Sequence, residues 1–173
     1  MTDLIVGLML GGGVMVQSYM EKSKPVDVLI DNPIIRVQEP VIEVKQWFLS
    51  SRSKDNMKGL HKDLIELINL ALVESPYDFV VISGERTSKE QRALVDAKKS
   101  RTMNSKHIKQ SDGYVHAFDF MALDANGVGT WEYNYYRDIV SAMKRIVARE
   151  NLDITFGHDW VGFLDSGHVQ IGT

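Results

Sequence analysis

Three separated stretches carry residue types that could do chemistry together: Ser105-Lys106-His107, His116-Ala117-Phe118-Asp119 and Asp165-Ser166-Gly167-His168. Imidazole and carboxylate are donors that zinc takes in hydrolytic sites, where three protein ligands leave the fourth position to water. Such a metal lowers the pKa of that water to about 7, and a nearby carboxylate must still accept the proton as the water attacks. His107, Asp119 and His168 suit the ligand role, and Asp165 suits the base. Taken singly, each has an ordinary alternative: a hydrogen-bonded histidine, or an aspartate that caps a helix or pairs with arginine. No compact signature of the H-E-x-x-H kind is present. Asp165 and His168 flank a Ser-Gly turn that can fold the carboxylate back beside the imidazole. Along a continuous strand, positions i and i+3 would face opposite ways.

The elements that must position these groups follow from periodicity. Val115 to Met121 alternates, with Val115, Ala117, Asp119 and Met121 on one face and His116, Phe118 and Phe120 on the other. Asp119 therefore points into an otherwise apolar face, where an unpaired carboxylate is costly. His116 faces the other way and is the weaker ligand candidate. Leu60, Leu64, Leu67, Ile68 and Ala71 form one helical stripe, ended by Pro76. Phe79 to Ile82 reads as a short apolar strand leading into Ser83-Gly84-Glu85-Arg86-Thr87. Ser88-Lys89-Glu90-Gln91 has the pattern of a capping box, opening a helix that runs to about Ala97.

Asp124-Ala125-Asn126-Gly127 is a turn, and Tyr135, Ile139, Ala142 and Ile146 give a second stripe within a helix from about Glu132 to Glu150. Ile154-Thr155-Phe156 and His168-Val169-Gln170-Ile171 read as strands joined by Gly157-His158-Asp159-Trp160. Two long helices with short strands between them indicate an α+β domain. Arg86 presents a fixed cationic fork that suits a substrate carboxylate or, equally, a structural ion pair. Lys98, Lys99, Arg101, Lys106 and Lys109 form a basic cluster, either a solvated surface or an attraction for an anionic substrate.

The chain has 173 residues, a net charge of −3 and no cysteine. That length suits one compact domain with an appendage. Without thiols there is neither a disulfide framework nor a thiolate metal site, and no global basic field calls for nucleic acid. Leu4 to Met20 is uncharged and apolar, but shorter than the roughly 20 residues usual for a bilayer span. Gly7, Gly11, Gly12 and Gly13 weaken it as a water-exposed helix but are tolerated in membranes. The expectation is a hydrophobic helix acting as membrane anchor or signal-anchor over residues 1–20; a buried or self-associating helix is the alternative. Lys22 and Lys24 would hold its C-terminal side in the cytoplasm, against export. Residues 21–45, with Pro25, Pro33 and Pro40, read as a linker, and residues 46–173 as the folded domain.

From Phe48 to Ile171 these residues resemble the D-alanyl-D-alanine-carboxypeptidase-like zinc peptidases of bacterial cell walls, in particular the phage L-alanyl-D-glutamate endopeptidases (endolysins). Ser51-Arg52-Ser53, Gly59-Leu60-His61-Lys62-Asp63-Leu64, Ser83-Gly84-Glu85-Arg86-Thr87 with Gln91, and Ser100 to His107 carry the first part of the likeness. His116 to Asp119, Gly157 to Trp160 and Asp165 to Gln170 carry the rest. The resemblance implies a small zinc-peptidase domain whose short antiparallel sheet is flanked by helices. Its ligands would be His107 in Ser-x-His, Asp119 in Ala-x-Asp and His168 in Asp-x-x-His, with Asp165 as the catalytic base. Arg86, Gln91 and Ser105 would serve substrate binding.

Three departures stand out. Ile108 to Val115 is longer than the family's usual connection, Val115 replaces a glycine, and Gly167 replaces a proline. The implied activity is zinc-dependent hydrolysis of peptidoglycan stem peptides in phage or prophage lysis, at the L-alanyl-D-glutamate bond. A cellular D,D- or L,D-carboxypeptidase and a non-catalytic peptidoglycan-binding domain are the alternatives. The expected partners are peptidoglycan stems and, through residues 4–20, a membrane, with a monomer acting at the membrane or periplasmic face of a bacterial cell.

Overall fold

A computed structural model describes residues 47–172; the apolar run Leu4–Met20 and the linker lie outside them. Among the described residues four α-helices and five strands form an α+β unit with an antiparallel sheet. Helix α1 spans Ser51–Asn56 and opens on Ser50, whose side chain accepts from the Ser53 amide. Helix α2 spans Lys62–Glu74 and is capped by the ring of His61, which accepts from the Asp63 amide. Strand β1 (Phe79–Ser83), helix α3 (Ser88–Asp96), strand β2 (Ala117–Leu123) and the two-residue strand β3 (Gly129–Thr130) follow. Helix α4 (Tyr133–Glu150) ends on Asn151 in the left-handed conformation, φ 54°, a C-cap that asparagine tolerates. Strand β4 (Ile154–Phe156), a 3₁₀ turn (Gly157–Asp159) and strand β5 (His168–Ile171) complete the order.

The sheet runs β1-β2-β5-β4, with β3 also on β2, and every pairing is antiparallel. Its core face joins Phe79, Val81, Phe118, Phe120 and Val169 to the apolar stripes of α2 (Leu64, Leu67, Ile68) and α4 (Ile139, Met143, Ile146). Phe79 and Phe120 meet edge to face at 5.5 Å between ring centroids. Burying side chains of this size contributes about 1.5–3 kcal/mol each, so these residues decide which face of the sheet turns inward. The opposite face of β2 carries Asp119 and Met121, both half-buried.

The alternation along β2 sets Phe118 and Phe120 on one face and Ala117, Asp119 and Met121 on the other; the structure turns the first of these to the core. The structure differs from the sequence reading at two places, the start of α2 and the cap of α3. The second helix begins at Lys62, and Leu60 instead makes an isolated bridge to Val115. The capping box belongs to Thr87 and Glu90, whose side chain and backbone bonds are both present. That shift by one residue frees Gln91 to turn inward. Among the described residues no helix is long and apolar enough to cross a membrane.

Asp78, 6% exposed, enters β1 with Oδ1 accepting from the Phe79 amide at 2.8 Å. Burial pushes its carboxyl up to about 6. A carboxyl raised above its unfolded value makes the folded state favour the protonated acid, so stability falls as pH rises from about 4 through 6. Asp78→Asn is expected to be more stable than wild type by about 1–2 kcal/mol at pH 7.5 and to lose that advantage near pH 4.5. Urea unfolding at the two pH values measures it; an equal difference at both would contradict the assignment.

Candidate metal centre

The register of β2 on β5 sets Asp119 directly opposite His168, and the register of β1 on β2 sets Ser83 opposite Asp119. Cross-strand partners share a face. His168 Nδ1 therefore lies 2.9 Å from Asp119 Oδ1. The chain leaving β1 passes Gly84, whose carbonyl lies 2.7 Å from Nδ1 of His107. That contact turns His107 Nε2 toward the same carboxylate oxygen, at 3.3 Å. One ligand atom from each of His107, Asp119 and His168 falls within 4.8 Å of the others.

Neutral imidazoles and a carboxylate are the hard-to-borderline donors that a divalent metal such as zinc accepts. Both histidines are buried, and each has its outward-facing nitrogen occupied, His107 by Gly84 and His168 Nε2 by Gln170 Oε1 at 3.1 Å. Orienting contacts of this kind are typical of metal-binding histidines. The donor set fits a metal ion. His116 takes no part: its Nε2 pairs with Asp112 at 2.7 Å.

Charge in the group is uneven. Burial alone would raise the Asp119 carboxyl, but hydrogen bonds and charge from His107 and His168 outweigh it and hold Asp119 well below the usual carboxylate range. Burial opposes charge on His168 as well, yet its hydrogen bond to Asp119 carries its pKa upward. Asp165 moves the other way, raised by burial and then by the negative charge of Asp119. The Asp165 carbonyl accepts from the His168 amide at 3.1 Å, and its own amide donates to Gly157. The turn thus folds back as the Ser-Gly spacing suggests. A Cβ on Gly167 would stand 2.5 Å from the Phe120 carbonyl, and one on Gly157 would stand 2.4 Å from that of Asp165. This backbone has no room for the proline usual at position 167.

Arg86 sits on the opposite flank, its Nη2 3.7 Å from Asp119 Oδ2. Gln91 is fully buried and holds it, with Oε1 accepting from Arg86 Nη1 at 2.8 Å while Nε2 donates to Ser100 Oγ and Thr102 O. Ser105 is buried, and its hydroxyl accepts from the His107 amide; it braces the turn that carries the histidine. The lengthened segment after His107 is an ordered loop. Gln110 Nε2 donates to the Ser105 and Ile108 carbonyls, and Val115 bonds to Gly59 and His61. His158 turns to Ser166 and stacks on Tyr133. Lys109 of the basic cluster pairs with Glu85, and Arg101 lies over the Phe163 ring.

Sequence reasoning passed over Gly84 and Gln170 as parts of this group. A Cβ on Gly84 would meet the Asn56 carbonyl at 1.9 Å, a crowding that only folded geometry reveals. The signal for Gln170 was present: two residues beyond His168 in a strand, it must share that face.

The sequence model of the phage L-alanyl-D-glutamate peptidase family matches residues 46–171. The crystal structure of Serratia marcescens L-Ala D-Glu endopeptidase ChiX is similar, with a TM-score of 0.64 and 35% sequence identity, covering 71% of this chain and 88% of that one. No curated protein matches the chain.

Two outcomes are expected. Asp119→Ala should retain less than about a tenth of the metal that wild type keeps through dialysis, by elemental analysis, because it removes the carboxylate that both histidines face. Gln91→Leu should cost about 1–3 kcal/mol in urea unfolding, since it leaves Arg86 and the Thr102 carbonyl without their buried partner. A variant as stable as wild type would mean that the Arg86 bracket is not formed.

Proposed function

This chain belongs to the phage L-alanyl-D-glutamate peptidase family, and on that premise we propose that it cuts the L-alanyl-D-glutamate bond of peptidoglycan stem peptides during phage or prophage lysis of a bacterial host. The observation that carries this reading is the convergence of His107, Asp119 and His168 with Asp165 and Arg86 on one side of the sheet. His107, Asp119 and His168 would hold zinc, which when bound would supply Lewis acidity toward a water and the scissile carbonyl.

The remaining work falls to the chain's own side chains. Asp165, with its carboxyl raised by burial and by Asp119, takes the proton from the attacking water and passes it to the departing amine nitrogen. A base with a pKa moved toward neutrality serves both transfers better than an ordinary surface aspartate. Arg86, held by Gln91, offers its guanidinium charge to a carboxylate of the glutamate residue, fixing the peptide relative to Asp165. His107 and His168 stay oriented by Gly84 and Gln170 throughout. No covalent acyl intermediate is required: the chain has no cysteine, and the Ser105 hydroxyl is engaged with the His107 amide.

Asp165→Asn separates the two roles. On purified peptidoglycan the full chain should release new amino groups, and the variant should be slower by at least about 100-fold, the scale of general acid–base catalysis. It should still hold its zinc. Activity above a tenth of wild type, or loss of the metal along with activity, would contradict the assignment of Asp165 as base.

A further inference from the structure

A neutral imidazole carries one proton, so the nitrogen that donates to a fixed acceptor leaves the other lone pair free for a metal. For His107 the choice is made by backbone. The Gly84 carbonyl can only accept, which keeps the proton on Nδ1 and leaves Nε2 facing Asp119. For His168 the choice rests on a side chain. Nδ1 faces Asp119 Oδ1 at 2.9 Å, and Nε2 faces Gln170 Oε1 at 3.1 Å. A carboxamide can present either an oxygen or an NH₂ group. With oxygen toward the ring, Nε2 keeps its proton and Nδ1 is the available donor. With NH₂ toward the ring, the proton moves to Nδ1, and the nitrogen beside Asp119 is blocked.

Without metal, the Asp119 carboxylate competes for the ring proton at Nδ1; on the Nε2 side Gln170 has no rival among the described side chains. Gln170 is half-buried on the face of β5 that carries His168, with Thr155 and Ala117 as its cross-strand neighbours. The Thr155 hydroxyl is directed to the Gly172 carbonyl, and Ala117 has no polar side chain. Among the described residues the Gln170 amide makes no other side-chain hydrogen bond than the one to His168.

We propose that Gln170 is a positioning residue whose carboxamide oxygen holds His168 in the tautomer that presents Nδ1 beside Asp119, so that metal affinity depends on a hydrogen-bond acceptor at position 170. The inference rests on the metal reading above and deepens it. It also separates acceptor chemistry from packing: a glutamate at 170 keeps the oxygen, while a methionine keeps the length and loses it.

The test uses the full chain as wild type, Gln170→Glu and Gln170→Met. Zinc affinity is read by competition with a chromogenic chelator, and the melting temperature is read on metal-free protein. Gln170→Met should bind zinc roughly 10–100-fold more weakly, the range for loss of a partner that orients a ligand, with metal-free melting unchanged. Gln170→Glu should bind at least as tightly as wild type. Nitrogen NMR of zinc-loaded wild type should show His168 protonated at Nε2, a result independent of how any variant folds. The proposal is overturned if Gln170→Met binds within twofold of wild type, if Gln170→Glu falls as far as Gln170→Met, or if the proton is on Nδ1. Wild type that binds no zinc would remove the metal reading itself; zinc binding indifferent to residue 170 removes this inference alone.

Discussion

The candidate centre depends on one register, Asp119 of β2 opposite His168 of β5. A slip of one residue would send Asp119 to the core face and set Phe118 or Phe120 toward the ligand group, because side chains alternate with period two. What prevents the slip lies on the far side of the sheet. Phe118, Phe120 and Val169 are fully buried against the helices, and at about 1.5–3 kcal/mol each they outweigh any local preference of the polar face. Gly167 adds a steric condition, since only glycine lets this turn pass so close to the Phe120 carbonyl.

That register concentrates charge where water is scarce. Two half-buried carboxylates, Asp119 and Asp165, share a region with two imidazoles and a guanidinium, and their environments drive them apart. Asp119 is held ionised by His107 and His168, whereas Asp165 is raised by burial and by Asp119 itself. Carboxylates pushed in opposite directions divide into different roles: one a fixed anion for a cation to bind, the other a group able to take and return a proton. Arg86 and Gln91 close the opposite flank. Gln91 uses one guanidinium nitrogen of Arg86, and Asp119 lies at the longer distance of 3.7 Å from another.

Much of this was readable from residue types. His107, Asp119 and His168 stood in separate motifs, and the Asp165 to His168 turn was foreseeable from Ser-Gly. The long helices were visible in their apolar stripes. Other features were hidden for physical reasons. Thr87-x-x-Glu90 and Ser88-x-x-Gln91 both satisfy the capping pattern, and only the inward demand on Gln91 decides between them. Which face of β2 turns inward does not follow from alternation, because apolar residues occupy both sides. The two-residue β3 has too little sequence to show a period, and the need for glycine at position 84 depends on a distant carbonyl of α1.

The central claim is that this group of side chains, loaded with metal, cuts one bond of the peptide stem. Mass spectrometry of peptidoglycan digested by the full chain, stripped of metal and then restored with zinc, tests it most directly. The account predicts no products from the stripped protein. On zinc addition it predicts fragments with a new C-terminal L-alanine on the glycan side and a new N-terminal D-glutamate on the peptide side. Cleavage that persists without metal, or products cut only at a D-alanine, would contradict it.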